Sequence, residues 1–209
     1  MKMCRRAGGV WLAAGLAAIS LARAELQTPP AQKTPAAGMD ALLTGRDLLN
    51  QGRWMDAVRF YRMALKTTPE SSEVRFGLAT ALTQIERYAE AVPLLESLLR
   101  EYPDNPAVLN NLAWILAKAE DAVLRDPPRA LRLARDAVLA GTSDFNIWNT
   151  LAEAYLANRQ PARALRIARV ALGLARADGS VRDTAPLHNL LQRCAKAAGE
   201  PVEAPDINE

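Results

Sequence analysis

The chain is expected to fold as an all-α array of stacked helix pairs, and three features of the sequence lead there. Side-chain types recur at one fixed offset: Trp54, Ala57, Tyr61, Ala64 and Pro69 return, each shifted by 34, as Tyr88, Ala91, Leu95, Leu98 and Pro103. A period of that length marks a repeat architecture, in which each unit buries its apolar face on the next. Alanine, leucine and arginine, all strong helix formers, dominate a composition only 5% aromatic. Finally, no stretch alternates apolar with polar residues as a half-buried strand requires.

The chain starts with a targeting segment that has to be set aside first. Met1 to Arg6 is basic through Lys2, Arg5 and Arg6, and Gly8 to Leu21 is an uncharged apolar run too short to span a bilayer comfortably. Ala22-Arg23-Ala24 then supplies the small residues a signal peptidase reads, so residues 1–24 are expected to be a signal peptide cut between Ala24 and Glu25, with a periplasmic or secreted destination. Cys4 precedes the apolar run and leaves with it. Export removes four of the 26 basic residues, leaving 22 against 23 acidic ones. The pI near 9.1 is therefore largely a property of the leader, and overall charge gives no support to nucleic-acid binding.

Residues 25–37, with three prolines and no apolar period, form an expected flexible linker. Helices follow at about 40–50, 54–67, 72–85, 88–101, 106–119, 128–140, 144–158 and 161–177, the repeat domain as a whole covering 38–199. Alanines at Ala57, Ala91, Ala130 and Ala164 let paired antiparallel helices approach closely, while larger side chains nearby fill the groove between them. Pro69 and Pro103 end second helices and turn the chain toward the next pair. Gly77-Leu78-Ala79 returns as Asn111-Leu112-Ala113, and Ala130, Ala134 and Ala137 return as Ala164, Ala168 and Ala171, again 34 apart. Only the third unit breaks step: Ala91 and Ala130 are 39 apart, as are Leu112 and Leu151, which puts five extra residues in or near Lys118 to Pro128. A ninth helix, about 183–198, with Leu187, Leu190, Leu191 and Cys194 on one side, is expected to cap the last apolar face. Gly199-Glu200-Pro201 stops it, and 200–209 is expected to be a disordered tail.

These spacings resemble the tetratricopeptide repeat (TPR) family as found in exported bacterial members. The fourth unit carries much of the family pattern in Trp148, Leu151, Ala152, Tyr155, Ala164 and Ala171, departing from it at Ala168 and Arg176; the resemblance spans residues 38–177. It implies a right-handed α-α superhelix of about four pairs plus the cap. It also implies a concave groove, lined by the first helix of each pair, in which extended or helical peptides lie. Carried onto this chain, that groove is formed by Arg46, Asn50, Phe76, Thr80, Gln84, Asn110, Asn111, Trp114, Lys118, Asn149 and Glu153. Asparagine amides both donate to and accept from a peptide backbone, and a tryptophan can serve as an aromatic anchor. Some members bind acidic peptide ends, for which Arg46, Asn50, Asn111 and Lys118 are the residues on offer.

Chemistry of other kinds has little to stand on. His188 is the only histidine, which excludes any site needing two, and it lies six positions from Cys194, on a different side of one helix. No Gly-rich phosphate loop precedes a helix after the leader. The carboxylate pairs, Glu70 with Glu73 and Glu120 with Asp121, read as solvated charge on helix surfaces. No catalytic residue, metal ligand or cofactor is expected. The expected function is that of a non-catalytic scaffold or adaptor taking another protein or a peptide in its groove, with no nucleic-acid partner and no membrane span after cleavage. The alternative is a self-assembling structural module of an envelope complex, a homodimer whose groove holds a second copy. Cys194 is open to two readings, a small buried core residue or a thiol paired between chains.

Overall fold

The computed structural model describes residues 44–141, 143–179, 181 and 183–201. The expected signal peptide 1–24, the linker 25–37, the start of the first helix and all of the 200–209 tail beyond Pro201 lie outside them. Among the described residues every regular element is a helix. α1 is helical over 44–50, and α2 spans Trp54–Thr67, α3 Ser72–Gln84, α4 Tyr88–Glu101 and α5 Pro106–Lys118. α6 spans Pro127–Ala140, α7 Phe145–Ala157, α8 Pro161–Ala177 and α9 Ala185–Ala198. The boundaries expected from the sequence agree with these closely.

The helices form two layers with different burial, which follows from their residue patterns. Outer helices α2, α4, α6 and α8 are amphipathic and bury a stripe; in α4 it is Ala91, Leu95 and Leu98. Inner helices α3, α5 and α7 are apolar or small nearly all round and are buried on most sides, α3 from Val74 through Thr83 except Arg75. Ala57, Ala91, Ala130 and Ala164 are completely buried where the two layers meet, since any larger side chain would hold the helix axes apart. Inner helices start on side-chain caps: Ser71 accepts from Val74 N–H, Asn105 from Ala107 and Val108 N–H, and Asp144 from Asn146 N–H.

Each inner helix hands over to its outer partner through one repeated device. The residue before the outer helix donates its N–H to a carbonyl in the last turn of the inner helix, as in Arg53 to Leu48, Arg87 to Leu82 and Gln160 to Tyr155, each at 2.9–3.0 Å. The third unit keeps that bond, Asp126 N–H to Leu116 O at 3.0 Å. Its five extra residues are thus absorbed in a loop over 119–126, where the spacing put them, while the helices on either side keep their register. Asp121 organises the loop, accepting from Val123 through its carboxylate and from Leu124 and Arg125 through its carbonyl.

In the three short turns one residue takes the left-handed backbone conformation: Gly52 at φ 70°, Glu86 at φ 60° and Arg159 at φ 56°. Only the first is the residue type that adopts it without cost. Glu86→Gly is expected to raise stability by about 0.5–1 kcal/mol, the relief of the left-handed penalty less glycine's larger entropy loss. Urea denaturation of both chains measures it, and an unchanged or lower midpoint would mean the Glu86 side chain contributes more than its backbone strain costs.

α9 closes the array as expected, laying Leu187, Leu190, Leu191, Cys194 and Ala195 against the end of the core. Cys194 is fully buried, which agrees with the core reading of this residue and not with a thiol available to another chain. Burial first, then the charge of Glu153, push its thiol up to about 11, with Arg193 opposing. A thiol with a folded pKa above its unfolded value adds stability that is complete below about pH 9 and fades as pH approaches 11. The thermal midpoint is therefore expected to fall over that interval, more steeply for the native chain from Glu25 than for its Cys194→Ala variant. Parallel curves for the two would remove Cys194 as a cause.

Candidate protein-binding groove

Because α3, α5 and α7 each pack on the next, residues sharing a register position on them form columns along the inner side. One column runs Arg46, Thr80, Trp114 and Glu153; a second runs Phe76, Asn110 and Asn149; a third runs Asn50, Gln84 and Lys118. The structure corrects the expectation that all of these are displayed. Phe76, Thr80, Asn110, Asn149 and Glu153 are buried, Asn149 and Glu153 being only 1% and 3% exposed. The inner helix of each following unit, and α9 at the end, cover them. Asn50 is exposed, while Arg46, Gln84, Asn111, Trp114 and Lys118 are half-buried.

The structure brings two groups of these residues together. Asn111 donates from Nδ2 to Thr80 Oγ1 at 3.2 Å, joining α5 to α3. Lys118 places its ammonium 5.4 Å from the centre of the Trp114 ring and 3.4 Å from Glu153 Oε1, joining α5 to α7. Glu153 is also gripped bidentately by Arg193 of α9, at 2.6 and 3.1 Å. Asn111 and Lys118 are therefore engaged within the chain, which leaves the set suggested for acidic peptide ends without two of its four members.

Three further residues of this region escaped the sequence. Arg193 follows Glu153 at an offset of 40, close to the local step in the third unit, and extending the column into the capping helix would have found it. Tyr88, on the outer helix α4, is half-buried; burial first, then the charge of Glu86, push its hydroxyl up to about 12, with Trp114 opposing. Asn146 is buried one turn before Asn149, and no sequence signal separated it from a helix cap.

The polar chemistry here is incomplete. Gln84 Oε1, Asn110 Oδ1, Asn149 Oδ1 and Asn146 Nδ2 are buried without a hydrogen-bond partner. Each such atom ordinarily costs about 1–3 kcal/mol, and most buried polar groups in proteins are paired. These four atoms belong to side-chain amides on inner helices, the residue type suited to recognising a peptide backbone. Among the described residues no group of three His, Cys, Asp or Glu stands together to hold a metal ion, and no helix is long and apolar enough to cross a membrane. His188 is placed apart from Cys194, its Nδ1 2.9 Å from the Thr184 carbonyl.

Comparisons with known proteins agree with this architecture. The tetratricopeptide repeat family's model matches residues 42–106 and 84–124. Curated proteins give no match. Among solved structures the chain is similar to a thermophilic TPR protein of Thermus thermophilus, with TM-score 0.63 and 20% identity over 78% of this chain and 83% of that one. It is also similar to a mutant of MamA, with TM-score 0.56 and 20% identity over 78% and 88%. The MamA RS-1 ArsTM double mutant gives TM-score 0.52 and 17% identity over 80% and 92%. At these identities the structures speak for the fold alone. A family model matching residues 42–124, a repeat period of 34 residues broken once, and inner and outer helices stacked in register together support placing this chain with the tetratricopeptide repeat proteins.

Proposed function

We propose that the chain is an exported, non-catalytic adaptor that takes an extended segment of another protein along the inner face of α3, α5 and α7. TPR folds are protein-protein interaction scaffolds, generally without catalysis; the segment, the groove and the periplasmic setting are this reading's own. The observation that carries it is the strip of half-buried side chains Gln84, Asn111, Trp114 and Lys118 along α3 and α5, in which Gln84 Oε1 lacks a hydrogen-bond partner. A peptide backbone offers alternating donors and acceptors, so a bound chain supplies the hydrogen bond that Gln84 lacks. Trp114, half-buried beside Lys118, adds an aromatic surface of the kind that anchors interfaces.

The test is affinity capture from the envelope fraction with the chain from Glu25, compared with a Trp114→Ala, Gln84→Ala variant that circular dichroism shows to be folded. Both positions are half-buried, so their truncation disturbs the core less than truncation of Asn149 would. The expected result is a partner held by the native chain and lost by the variant. The same partner held by both would place binding elsewhere, and capture of nothing but the chain itself would favour self-assembly.

A further inference from the structure

Adjacent outer helices are stitched together by ion pairs at one register. Arg62, five positions after Ala57 on α2, meets Glu90, one before Ala91 on α4. Glu96, five after Ala91, meets Arg129, one before Ala130 on α6, through a bidentate contact at 2.6 and 2.9 Å. The equivalent register positions of the next unit hold Arg135, five after Ala130, and Arg163, one before Ala164 on α8. Both are arginine, so the opposite-charge pairing of the first two junctions has no counterpart between them. Each arginine settles for a neutral group: Arg135 donates to the Tyr155 hydroxyl at 3.0 Å and Arg163 to the Gln160 side-chain oxygen at 2.8 Å.

The surroundings extend this excess. α8 contains Arg163, Arg166, Arg169 and Arg176 and no Asp or Glu. All four are exposed, and Arg132 stands exposed on α6, one repeat period before Arg166. Arg169 meets Glu200 at 3.6 Å, whereas Arg132, Arg166 and Arg176 have no acidic partner among the described residues. Besides the arginines, the exposed residues of α8 are Ala162, Val170, Gly173 and Ala177. Protein partners are usually gripped at aromatic or deeply desolvated anchors, and the exposed residues of α8 include neither. Four guanidinium forks spread over about 20 Å of one helix suit a surface of closely spaced phosphates, which arginine binds bidentately.

We propose that the outer face of α6 and α8, centred on the exposed α8 arginines, docks on an anionic phospholipid surface, leaving the inner groove turned away from the bilayer and open to its partner. The apolar run Gly8 to Leu21, expected to bring the chain to a membrane during export, puts such a surface within reach. Binding of this kind is additive over the arginines, at roughly fivefold in affinity for each, and weakens with salt.

The experiment is vesicle co-sedimentation of the chain from Glu25, which keeps every described residue while removing the apolar leader. Vesicles of phosphatidylcholine alone are compared with vesicles containing phosphatidylglycerol. One variant carries Arg132→Gln, Arg163→Gln, Arg166→Gln and Arg176→Gln. A control variant loses the same charge elsewhere, through Arg53→Gln, Arg59→Gln, Lys66→Gln and Arg100→Gln, and circular dichroism confirms that both are folded. The expected result is salt-sensitive binding to the anionic vesicles only, weakened at least about a hundredfold in the first variant and retained in the control and in Trp114→Ala. Equal binding to neutral vesicles, equal loss in the control, or no binding by the native chain would each overturn the proposal. So would a polyglutamate peptide that binds this face when vesicles do not, because the partner would then be an acidic protein.

Discussion

Alanine in place of Gly77 is expected to lower stability by about 3 kcal/mol, the upper end of what overpacking a core costs. A Cβ on Gly77 would stand 2.2 Å from Tyr61 Cζ and within 2.7 Å of both neighbouring ring carbons. The ring has nowhere to retreat, because a Cβ on Gly45, on the neighbouring inner helix, would meet the same ring at 2.5 Å. Tyr61 is thus wedged between two glycine backbones, and it is 1% exposed. Gly173 supplies the contrast, since nothing lies within 4 Å of a Cβ there. Gly173→Ala, in the middle of α8, should gain up to about 1 kcal/mol from helix propensity alone. Urea denaturation of the two variants reads opposite shifts; a Gly77→Ala midpoint equal to that of the native chain would show that the Tyr61 ring has room this packing denies it.

The second large effect is expected at Arg193. Glu153 is 3% exposed, whereas the side chains of Arg193 and Lys118 are 42% and 30% exposed. The two kinds of truncation are therefore unequal. Arg193→Ala leaves a buried carboxylate with Lys118 alone at 3.4 Å, and an under-compensated buried charge costs about 3 kcal/mol. Glu153→Gln leaves two cations that water can still reach, which discounts the loss to about 1 kcal/mol. Since Arg193 ties α9 to α7, its removal should also release the cap, lowering hydrogen-exchange protection in α9 and α8 before the rest of the array. A Glu153→Gln loss equal to or above that of Arg193→Ala would mean that the pair does not hold the cap in place.

Much of this architecture was legible because the packing alanines cannot vary without moving helix axes. Their spacing marked the helix pairs and the five-residue insertion. The groove was less legible, since a register position tells which way a residue points and not how deeply the next unit covers it. Asn110, Asn149 and Glu153 were placed on the correct side and are nonetheless buried. Arg193 was hidden because the ninth helix was read through its leucines, as a lid. The left-handed turns at Glu86 and Arg159 were hidden for another reason: only the first of the three carries a glycine to mark it, and tertiary packing enforces the conformation in the others. The arginine excess on α8 was diluted in a chain whose total charge is nearly balanced after the leader.

That the inner face holds the partner is the central claim, and site-specific photocrosslinking tests it most directly. A photoreactive residue at Gln84, inside the groove, is compared with one at Met63, which is 69% exposed on the outer helix α2, in otherwise native chains in the envelope. The expected result is a protein adduct from position 84 that position 63 does not give. An adduct from position 63 alone, or equally from both, would contradict the claim.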